Sequence, residues 1–252
     1  MLTEKDITRN LFGFYHAIPG TDDHDCRCGE MLECICLPEF RWPSYLLGGK
    51  EIDQKKLALI AGWIRDGECP SFWIRKIEEG WDFDEIALEE GIRKVMEWKG
   101  MLLEQDKPFK TEAPGKGIRF SEIREKREID LWLNLMNREL LTGKSLERNY
   151  FYQMAGKKEF ELLALWEDDR IISTMLVYTK DDIAGIYLLT TSAEKRGMGY
   201  GKMITSLGLN SCIQKGLKKF VLQSTTAGQA LYTKFGFREV CRYGIYWMVG
   251  KV

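Results

Sequence analysis

Short apolar or alternating segments bounded by turn residues run through the second half of the chain, and they predict β-strands. The predicted strands are residues 118–123, 160–166, 171–178, 183–191, 220–223 and 237–249. Acidic turns at residues 168–170 and 181–182 separate three of these strands. Consecutive strands joined by short turns form hairpins, so this region is predicted to begin as an antiparallel sheet.

Segments with apolar residues at helical spacing lie between these strands. The predicted helices are residues 129–141, 199–215 and 228–235, and Gly236 closes the last of them. Hairpins followed by a strand–helix–strand order predict a mixed sheet with helices on its faces. The predicted fold class of the second half is therefore α/β, in the form of an α+β mixed sheet.

The first part of the chain is less regular. Its predicted helices are residues 7–17, 57–64 and 86–90, and its predicted strands are residues 31–37, 71–74 and 95–103. A polar segment at residues 104–117 contains two of the six prolines, and this composition predicts a linker. We expect a smaller α/β domain at residues 1–105, a linker at 106–116 and a larger domain at 117–252.

Charge and apolar content narrow the class of protein. Lys plus Arg (37) and Asp plus Glu (38) nearly cancel, which is unlike the basic excess of a nucleic-acid binder. The longest mostly apolar run, residues 57–64, is far shorter than the roughly 20 residues that a membrane span needs. With no secretory signal at the N-terminus, we expect a cytoplasmic protein whose seven cysteines are mostly reduced.

The most informative segment joins the strand at 183–191 to the helix at 199–215. It reads Arg196-Gly197-Met198-Gly199-Tyr200-Gly201. Glycines let the backbone approach a bulky anion, and a helix N-terminus offers unpaired N–H groups and a partial positive charge. Together with the fixed charge of Arg196, they predict a pyrophosphate site. We call residues 196–201 the cradle.

Two other phosphate-binding motifs do not fit the residues of the cradle. A dinucleotide site needs G-x-G-x-x-G, but Lys202 stands where its last glycine would be. A P-loop needs Gly-Lys followed by Ser or Thr, but Met203 follows Gly201-Lys202. The spacing disfavours a dinucleotide-binding oxidoreductase and a P-loop, and leaves a glycine-rich turn without a ligand as the alternative.

The pattern Arg196-x-x-Gly199-x-Gly201 resembles the acyl-CoA motif of the GCN5-related N-acetyltransferase (GNAT) superfamily. Further on, residues 230–240 (ALYTKFGFREV) are similar to the family's characteristic short helix and following strand. The resemblance covers residues 117–252. It implies an N-acetyltransferase that uses acetyl-CoA as co-substrate and no metal. The acceptor it implies is a primary amine, which we expect to belong to a small molecule that attacks directly within a ternary complex.

The resemblance also implies which residues bind the cofactor. Backbone groups of Leu189 and Thr191 would pair with the pantetheine arm, as an added strand pairs with a sheet. Backbone N–H groups of the cradle would hold the pyrophosphate. The sheet would splay at Thr190 and Thr191 to admit the thioester, and a backbone N–H near Leu189 would stabilise the oxyanion.

Acid and base roles follow from the same resemblance and from ordinary pKa values. The departing thiolate needs a proton donor, and a phenol with a pKa of about 10 is suitable. Tyr232 stands where the family places this acid, the alternative being a packed aromatic. Many relatives carry a Glu on the third strand, but residues 183–192 contain no acidic residue and both histidines lie in the front part. The base candidates are Glu161, Tyr187, Tyr178 and ordered water.

A weaker resemblance concerns the front of the chain. Segments at residues 70–73, 88–91 and 96–103 are similar to the N-terminal portion of two-part GNAT proteins. This implies a degenerate GNAT-like half that forms one wall of the acceptor pocket. Residues 1–105 contain no R-x-x-G-x-G motif for CoA.

Cys26-x-Cys28 and Cys34-x-Cys36 have one residue between the cysteines, whereas zinc sites usually have two to four. We therefore expect no metal site.

Several alternatives remain open at the level of sequence. The acceptor could be a peptide or protein amine, or the chain could be an acyl-CoA-binding regulatory module without turnover. The expected partners are acetyl-CoA and a small amine, without nucleic acid or membrane. The sequence leaves a homodimer open.

Overall fold

Two compact units make up the protein in the computed structural model, which describes residues 1–19, 27–37, 42–49, 52–78, 83–111, 114–140 and 146–248. Unit 1 consists of residues 1–14, 101–223 and 230–238. Unit 2 consists of residues 15–100, 224–229 and the chain from 239 onward. Each unit is thus built from separate stretches of sequence, and the linear domain boundaries remain a prediction.

The predicted elements are largely confirmed. In chain order they are α1 (Glu4–Ala17), β1 (Glu33–Ile35), β2 (Tyr45–Leu47), α2 (Gln54–Arg65), β3 (Phe72–Lys76), α3 (Phe83–Glu89), β4 (Ile92–Glu104), β5 (Ile118–Ile123), α4 (Lys126–Glu139), α5 (Arg148–Met154), β6 (Phe160–Glu167), β7 (Arg170–Lys180), β8 (Ile183–Thr191), α6 (Tyr200–Gln214), β9 (Lys219–Ser224), α7 (Thr226–Thr233) and β10 (Arg238–Met248). Sequence patterns missed β2 and α5, which have three and seven residues. Within the described ranges, no helix is long and apolar enough to cross a membrane.

Unit 1 is a mixed sheet with the strand order β4–β9–β8–β7–β6–β5, to which β4 contributes its last residues. The strands β5 to β8 are antiparallel, and β9 runs parallel to β8. Asp168 bridges the first predicted hairpin with φ 51°, and Asp181 and Asp182 bridge the second with φ 51° and 61°. Asp tolerates this left-handed conformation, so the acidic turns do set the hairpins.

Helices cover both faces of the unit 1 sheet. Thr174 of β7 contacts Met136 of α4, with 3.1 Å between Oγ1 and Sδ. The next residue, Met175, lies against Gly208 of α6. Because successive side chains of a strand point to opposite faces, α4 and α6 lie on opposite sides of the sheet. The α6 side holds the main apolar core, which includes Leu163, Val177, Ile186, Leu209 and Phe220.

The N-terminal helix also belongs to unit 1 through residues 4–14. The ring of Phe14 stacks on Tyr187, with 4.0 Å between centroids and 9° between planes. The Tyr187 hydroxyl donates to Asn10 Oδ1 at 2.7 Å. Asn10 Nδ2 in turn donates to the carbonyl of Ile183 at 3.3 Å. The first turns of the chain therefore pack against β8 of the larger unit.

A bulge and a divergence of strands shape the end of β8. The pairing of β7 with β8 shifts between Thr174 and Leu176, and Leu188 has φ 48°. An extra residue in one strand bends it and strengthens its twist. Parallel pairing with β9 is described only for residues 183–186 of β8. The expected splay at residues 190–191 therefore begins earlier, directly after Ile186, because the bulge turns β8 away from β9.

Unit 2 has the strand order β1–β2–β3–β10–β4. Strands β2 and β3 are parallel, whereas β10 is antiparallel to β3. Its core lies under α2 and α3 and includes Leu57, Ile60, Trp73, Phe83 and Tyr246. The α2 helix begins at the N-cap Asp53, whose side chain accepts from the N–H of Lys56. This unit accounts for the smaller α/β region predicted from the front of the chain.

The cysteines differ in part from the reduced set expected from the sequence. Cys28 and Cys69 form a disulfide with 6.5 Å between their Cα atoms. They are 41 residues apart, so no local sequence pattern indicates that they pair. Cys34, Cys36, Cys212 and Cys241 form no disulfide with another described residue. Cys26 and its acidic neighbours lie outside the described residues.

The segment predicted as a linker contains one residue that is firmly packed. The Phe109 ring meets Phe235 edge to face, with 5.2 Å between centroids. Asn210 of α6 holds the Phe109 backbone with two hydrogen bonds. The N–H of Phe109 donates to Asn210 Oδ1 at 2.7 Å, and Asn210 Nδ2 donates to the carbonyl of Phe109 at 3.0 Å. This part of the segment is therefore docked on unit 1.

Candidate functional site

The cradle connects the end of β8 to the start of α6. Gly197 and Gly199 have φ 76° and 88°, in the left-handed region that favours glycine. Gly199 is the N-cap of α6, and no described side chain caps this end. The first N–H groups of a helix lack partners within the helix, so the N-terminus of α6 presents them to an anion together with the positive end of the helix dipole.

Open space surrounds the two left-handed glycines. A Cβ atom added at Gly197 or Gly199 would meet no described atom within 4 Å. Met198 between them is 62% exposed. The cradle backbone is therefore accessible to a ligand as bulky as a pyrophosphate.

The second half of β8 presents backbone groups on the side away from β7. The carbonyls of Leu188 and Thr190 point toward β7, where they accept hydrogen bonds from two hydroxyls at 3.2 and 2.7 Å. Backbone polar groups of successive strand residues point in opposite directions. Leu189 and Thr191 therefore direct theirs toward the side from which β9 has diverged.

Sequence reasoning missed Ser173, which fixes the end of β8. Its hydroxyl donates to the carbonyl of Thr190 and lies 2.9 Å from Thr191 Oγ1. Ser173 is fully buried on β7. A serine within a hydrophobic strand gives no signal in the sequence, because its partners are 17 and 18 residues away. Its hydrogen bonds hold β8 in place where pairing with β9 has ended.

Arg196 is held at two points although more than half of its side chain is exposed. Its Nε donates to the carbonyl of Thr191 at 3.1 Å. One terminal nitrogen lies 2.6 Å from Glu139 Oε2 at the end of α4. A guanidinium has five N–H donors, so these contacts leave most of them available.

Glu139 is the buried carboxylate next to the cradle, and its side chain is only 7% exposed. Burial by itself would raise its pKa, but hydrogen bonds from Arg138 and from the N–H of Ala193, together with the charge of Arg196, lower the pKa instead. The carboxylate is therefore ionised at neutral pH. No sequence motif pointed to it.

Tyr232 lies on α7 within the apolar core of unit 1, where 8% of the residue is exposed. Its ring meets Phe237 edge to face, with 5.9 Å between centroids. Burial raises the pKa of this phenol well above its ordinary value. The hydroxyl therefore keeps its proton across the physiological range.

Two of the base candidates, Glu161 and Tyr187, are engaged by other groups, and Tyr178 is a buried phenol. Glu161 is 8% exposed, and its Oε2 lies 2.5 Å from Lys215 Nζ, just beyond the C-terminus of α6. The 15 residues of α6 rise roughly 22 Å, so this pair lies far from the cradle at the other end. Burial raises the pKa of Tyr178 to about 12. Tyr187 donates to Asn10, as described above.

Two buried polar atoms near the diverging strands lack a hydrogen-bond partner within the described residues. They are the hydroxyl of Ser192, directly after β8, and Nε2 of Gln223 on β9. Buried polar groups are costly unless they are bonded.

Comparisons with known proteins agree with this geometry. Residues 135–244 match the family model of the acetyltransferase (GNAT) domain. A GCN5-related N-acetyltransferase from Kribbella flavida is similar over 100% of this chain and 97% of its own, with a TM-score of 0.72 and 11% identity. One from Sphaerobacter thermophilus has a TM-score of 0.60 and 16% identity, covering 82% of this chain and 74% of its own.

A third similar structure is a tandem GNAT protein from the clavulanic acid biosynthesis pathway. It covers 81% of this chain and 74% of its own, with a TM-score of 0.58 and 12% identity. At these identities the similarity concerns the fold. No curated protein matches the chain significantly in sequence.

The domain match and the fold define the class of protein. Residues 135–244 match the GNAT domain and the similar structures share its fold, as the R-x-x-G-x-G resemblance implied. This is the fold of acyltransferases that use acyl-CoA, and the tandem relative agrees with the two-part resemblance of the front segments.

Proposed function

We propose that this protein is an N-acetyltransferase that transfers the acetyl group of acetyl-CoA to a primary amine of a small molecule. The reaction would proceed by direct attack within a ternary complex. The observation that carries the proposal is the pairing of an open helix N-terminus at Gly199 with a strand that has diverged from its neighbour after Ile186. Together these features offer a pyrophosphate site and a slot for an extended arm.

In this proposal the pyrophosphate binds the backbone N–H groups of residues 196–201. The left-handed glycines and the lack of a described side-chain cap support this role, since an anion can approach the helix end directly. Arg196 adds a cation whose free N–H groups can pair with phosphate oxygens. The side chains of Met198 and Tyr200 contribute little to binding, because the contacts come from the backbone.

The pantetheine arm would lie along the open side of β8. Outward-facing backbone groups of Leu189 and Thr191 support pairing with its amides, and Thr190 anchors this stretch to β7. An N–H near Leu189 would face the carbonyl oxygen on which negative charge develops.

Acetyl transfer requires that a proton reach the departing thiolate. When the amine attacks, a C–N bond forms, the C–S bond breaks and the sulfur leaves with the electron pair. We assign the proton donor to Tyr232, whose buried phenol stays protonated at neutral pH. Its place in the packed core would hold the hydroxyl in one orientation.

The attacking amine must lose a proton. Glu161 is the carboxylate candidate on β6, but its ion pair with Lys215 holds it at the far end of α6. We therefore favour ordered water as the immediate acceptor of this proton and regard Glu161 as the second candidate. A strand without a carboxylate beside the thioester also favours one alternative function, an acyl-CoA-binding module without turnover.

Titration calorimetry with acetyl-CoA, CoA and NAD tests the proposal first. Binding of acetyl-CoA and CoA without binding of NAD would support the cradle assignment, and a screen of amines for thiol release would then separate enzyme from binding module. Binding of NAD alone, or of none of the three, would overturn the proposal. CoA binding without thiol release from any small amine or peptide would favour the regulatory module.

A further inference from the structure

Two acidic residues hold the short turn that leads from β8 into the cradle. Lys195 Nζ lies 2.6 Å from Glu167 of β6, and Arg196 lies 2.6 Å from Glu139 of α4. The two pairs differ in burial, because the Glu167 side chain is 34% exposed and that of Glu139 only 7%. A buried charge is retained only when its partners compensate for lost hydration.

Glu139 has such partners, and one of them belongs to the cradle. Its carboxylate accepts a hydrogen bond from Arg138 at 3.0 Å and pairs with Arg196 at 2.6 Å. Arg196 is also held through Nε by the carbonyl of Thr191. The guanidinium therefore has a fixed orientation before any ligand arrives, with N–H donors to spare.

We propose that Glu139 is a positioning residue for cofactor binding, acting through Arg196. This inference rests on the proposed function, because it assumes that the cradle binds the pyrophosphate of CoA. A flexible exposed arginine loses conformational freedom when it binds phosphate, and prior fixation removes that cost. Glu139 also carries a negative charge that opposes an incoming anion. We infer that fixation outweighs this repulsion, since both carboxylate oxygens are themselves held, one by Arg138 and one by Arg196.

The test measures the affinity of the full chain for CoA and, by competition, for pantetheine, which lacks the pyrophosphate. Glu139→Ala should weaken CoA binding about tenfold, the upper part of the range for fixing one side chain. Glu139→Gln keeps an acceptor for Arg196, so it should stay within about threefold of the unchanged protein. Pantetheine affinity should not change in either variant. Glu167→Ala is the matched control, because it removes the other ion pair of the turn and leaves Arg196 in place.

Each outcome of this test either supports the inference or overturns it. Equal or tighter CoA binding by Glu139→Ala would overturn the inference, and a tighter value would mean that the carboxylate competes with the pyrophosphate. An equal loss for CoA and pantetheine would also overturn it, because that pattern indicates general disruption of the site. If the unchanged protein binds no CoA, both the proposed function and this inference fail. If the unchanged protein and Glu139→Ala bind CoA with equal affinity, only this inference fails.

Discussion

At the scale of single residues, backbone conformation and burial define the site more than side-chain chemistry does. Gly199 is fixed by a left-handed φ at the end of a helix, and Tyr232 is fixed by the apolar core around it. Among the described residues their polar contacts are backbone hydrogen bonds, such as those from the N–H of Met203 to Gly199 and from the N–H of Phe235 to Tyr232, and these reveal no role. Substitutions at these two positions therefore test the backbone cradle and the proton donor separately.

Replacing Gly199 by Glu should abolish CoA binding, with a loss of at least about 100-fold. The new carboxylate would stand where the pyrophosphate is proposed to bind and repel it, and φ 88° is strained for any side chain. Gly216→Glu is the matched control, since Gly216 has φ 89°, lies in open space and stands beyond the other end of α6. Calorimetry should show unaltered CoA binding for the control. Unchanged CoA binding by Gly199→Glu would refute the assignment of the cradle as the pyrophosphate site.

Tyr232→Phe should lower kcat about 100-fold or more while acetyl-CoA affinity stays within about twofold, because only the proton donor is removed. The ring keeps its contact with Phe237, so thermal stability should be nearly unchanged. Steady-state kinetics and calorimetry measure the two effects. Tyr152→Phe removes another phenol hydroxyl of unit 1, bonded to Asp130, and should retain activity. Full activity of Tyr232→Phe would remove Tyr232 as the acid.

At the scale of elements, α6 is positioned by close packing against β7 rather than by helix propensity. Gly208 lies in the middle of this helix, where glycine normally weakens a helix relative to alanine. An added Cβ would stand 2.2 Å from Met175 Cε and 3.2 Å from Leu163 Cδ1. The missing side chain therefore allows the helix to approach the sheet and sets the position of its N-terminus at the cradle.

Two glycine-to-alanine substitutions separate packing from propensity. Gly208→Ala should destabilise unit 1 by about 1–3 kcal/mol through overpacking. Gly62→Ala, in the α2 helix of unit 2, meets nothing within 4 Å and should stabilise its helix by up to about 1 kcal/mol. Urea unfolding of both variants measures the sign of the change in the free energy of unfolding. A stabilising Gly208→Ala would show that Met175 moves aside freely and that close packing does not set α6.

At the scale of the whole molecule, the chain divides into two units whose segments interleave along the sequence. Both units bury tyrosines, and burial raises the pKa of Tyr45 in unit 2 and of Tyr178 in unit 1 to about 12. A phenol with a raised pKa in the folded state stabilises the fold as long as it keeps its proton. That contribution is complete below the unfolded pKa of about 10 and is lost as the pH rises to about 12.

The contribution of these phenols to stability should therefore be constant at neutral pH, and stability should fall steeply between about pH 10 and 12. Urea unfolding over this range measures the free energy of unfolding, and ultraviolet absorbance of tyrosinate follows ionisation. The buried phenols should ionise together with unfolding, after the exposed ones. Complete tyrosinate formation near pH 10 in the folded protein would contradict the burial that raises these pKa values.

The sequence by itself determined the hairpins, the cradle and the fold class, because these depend on local patterns. Asp181 and Asp182 favour their turn, and alternate glycines ahead of a helix favour an anion site, wherever they occur in a chain. Strongly periodic segments such as α4 and β8 were likewise predicted within a few residues of their observed bounds.

Only the tertiary structure decided which distant residues support the cradle and where the sheet opens. Glu139 reaches Arg196 across 57 residues, and Ser173 reaches Thr190 across 17, so neither contact leaves a local pattern. The divergence after Ile186 arises from a bulge at Leu188, whose residue type gives no sign of a left-handed φ. Such features depend on packing between strands and helices that the chain brings together only after folding.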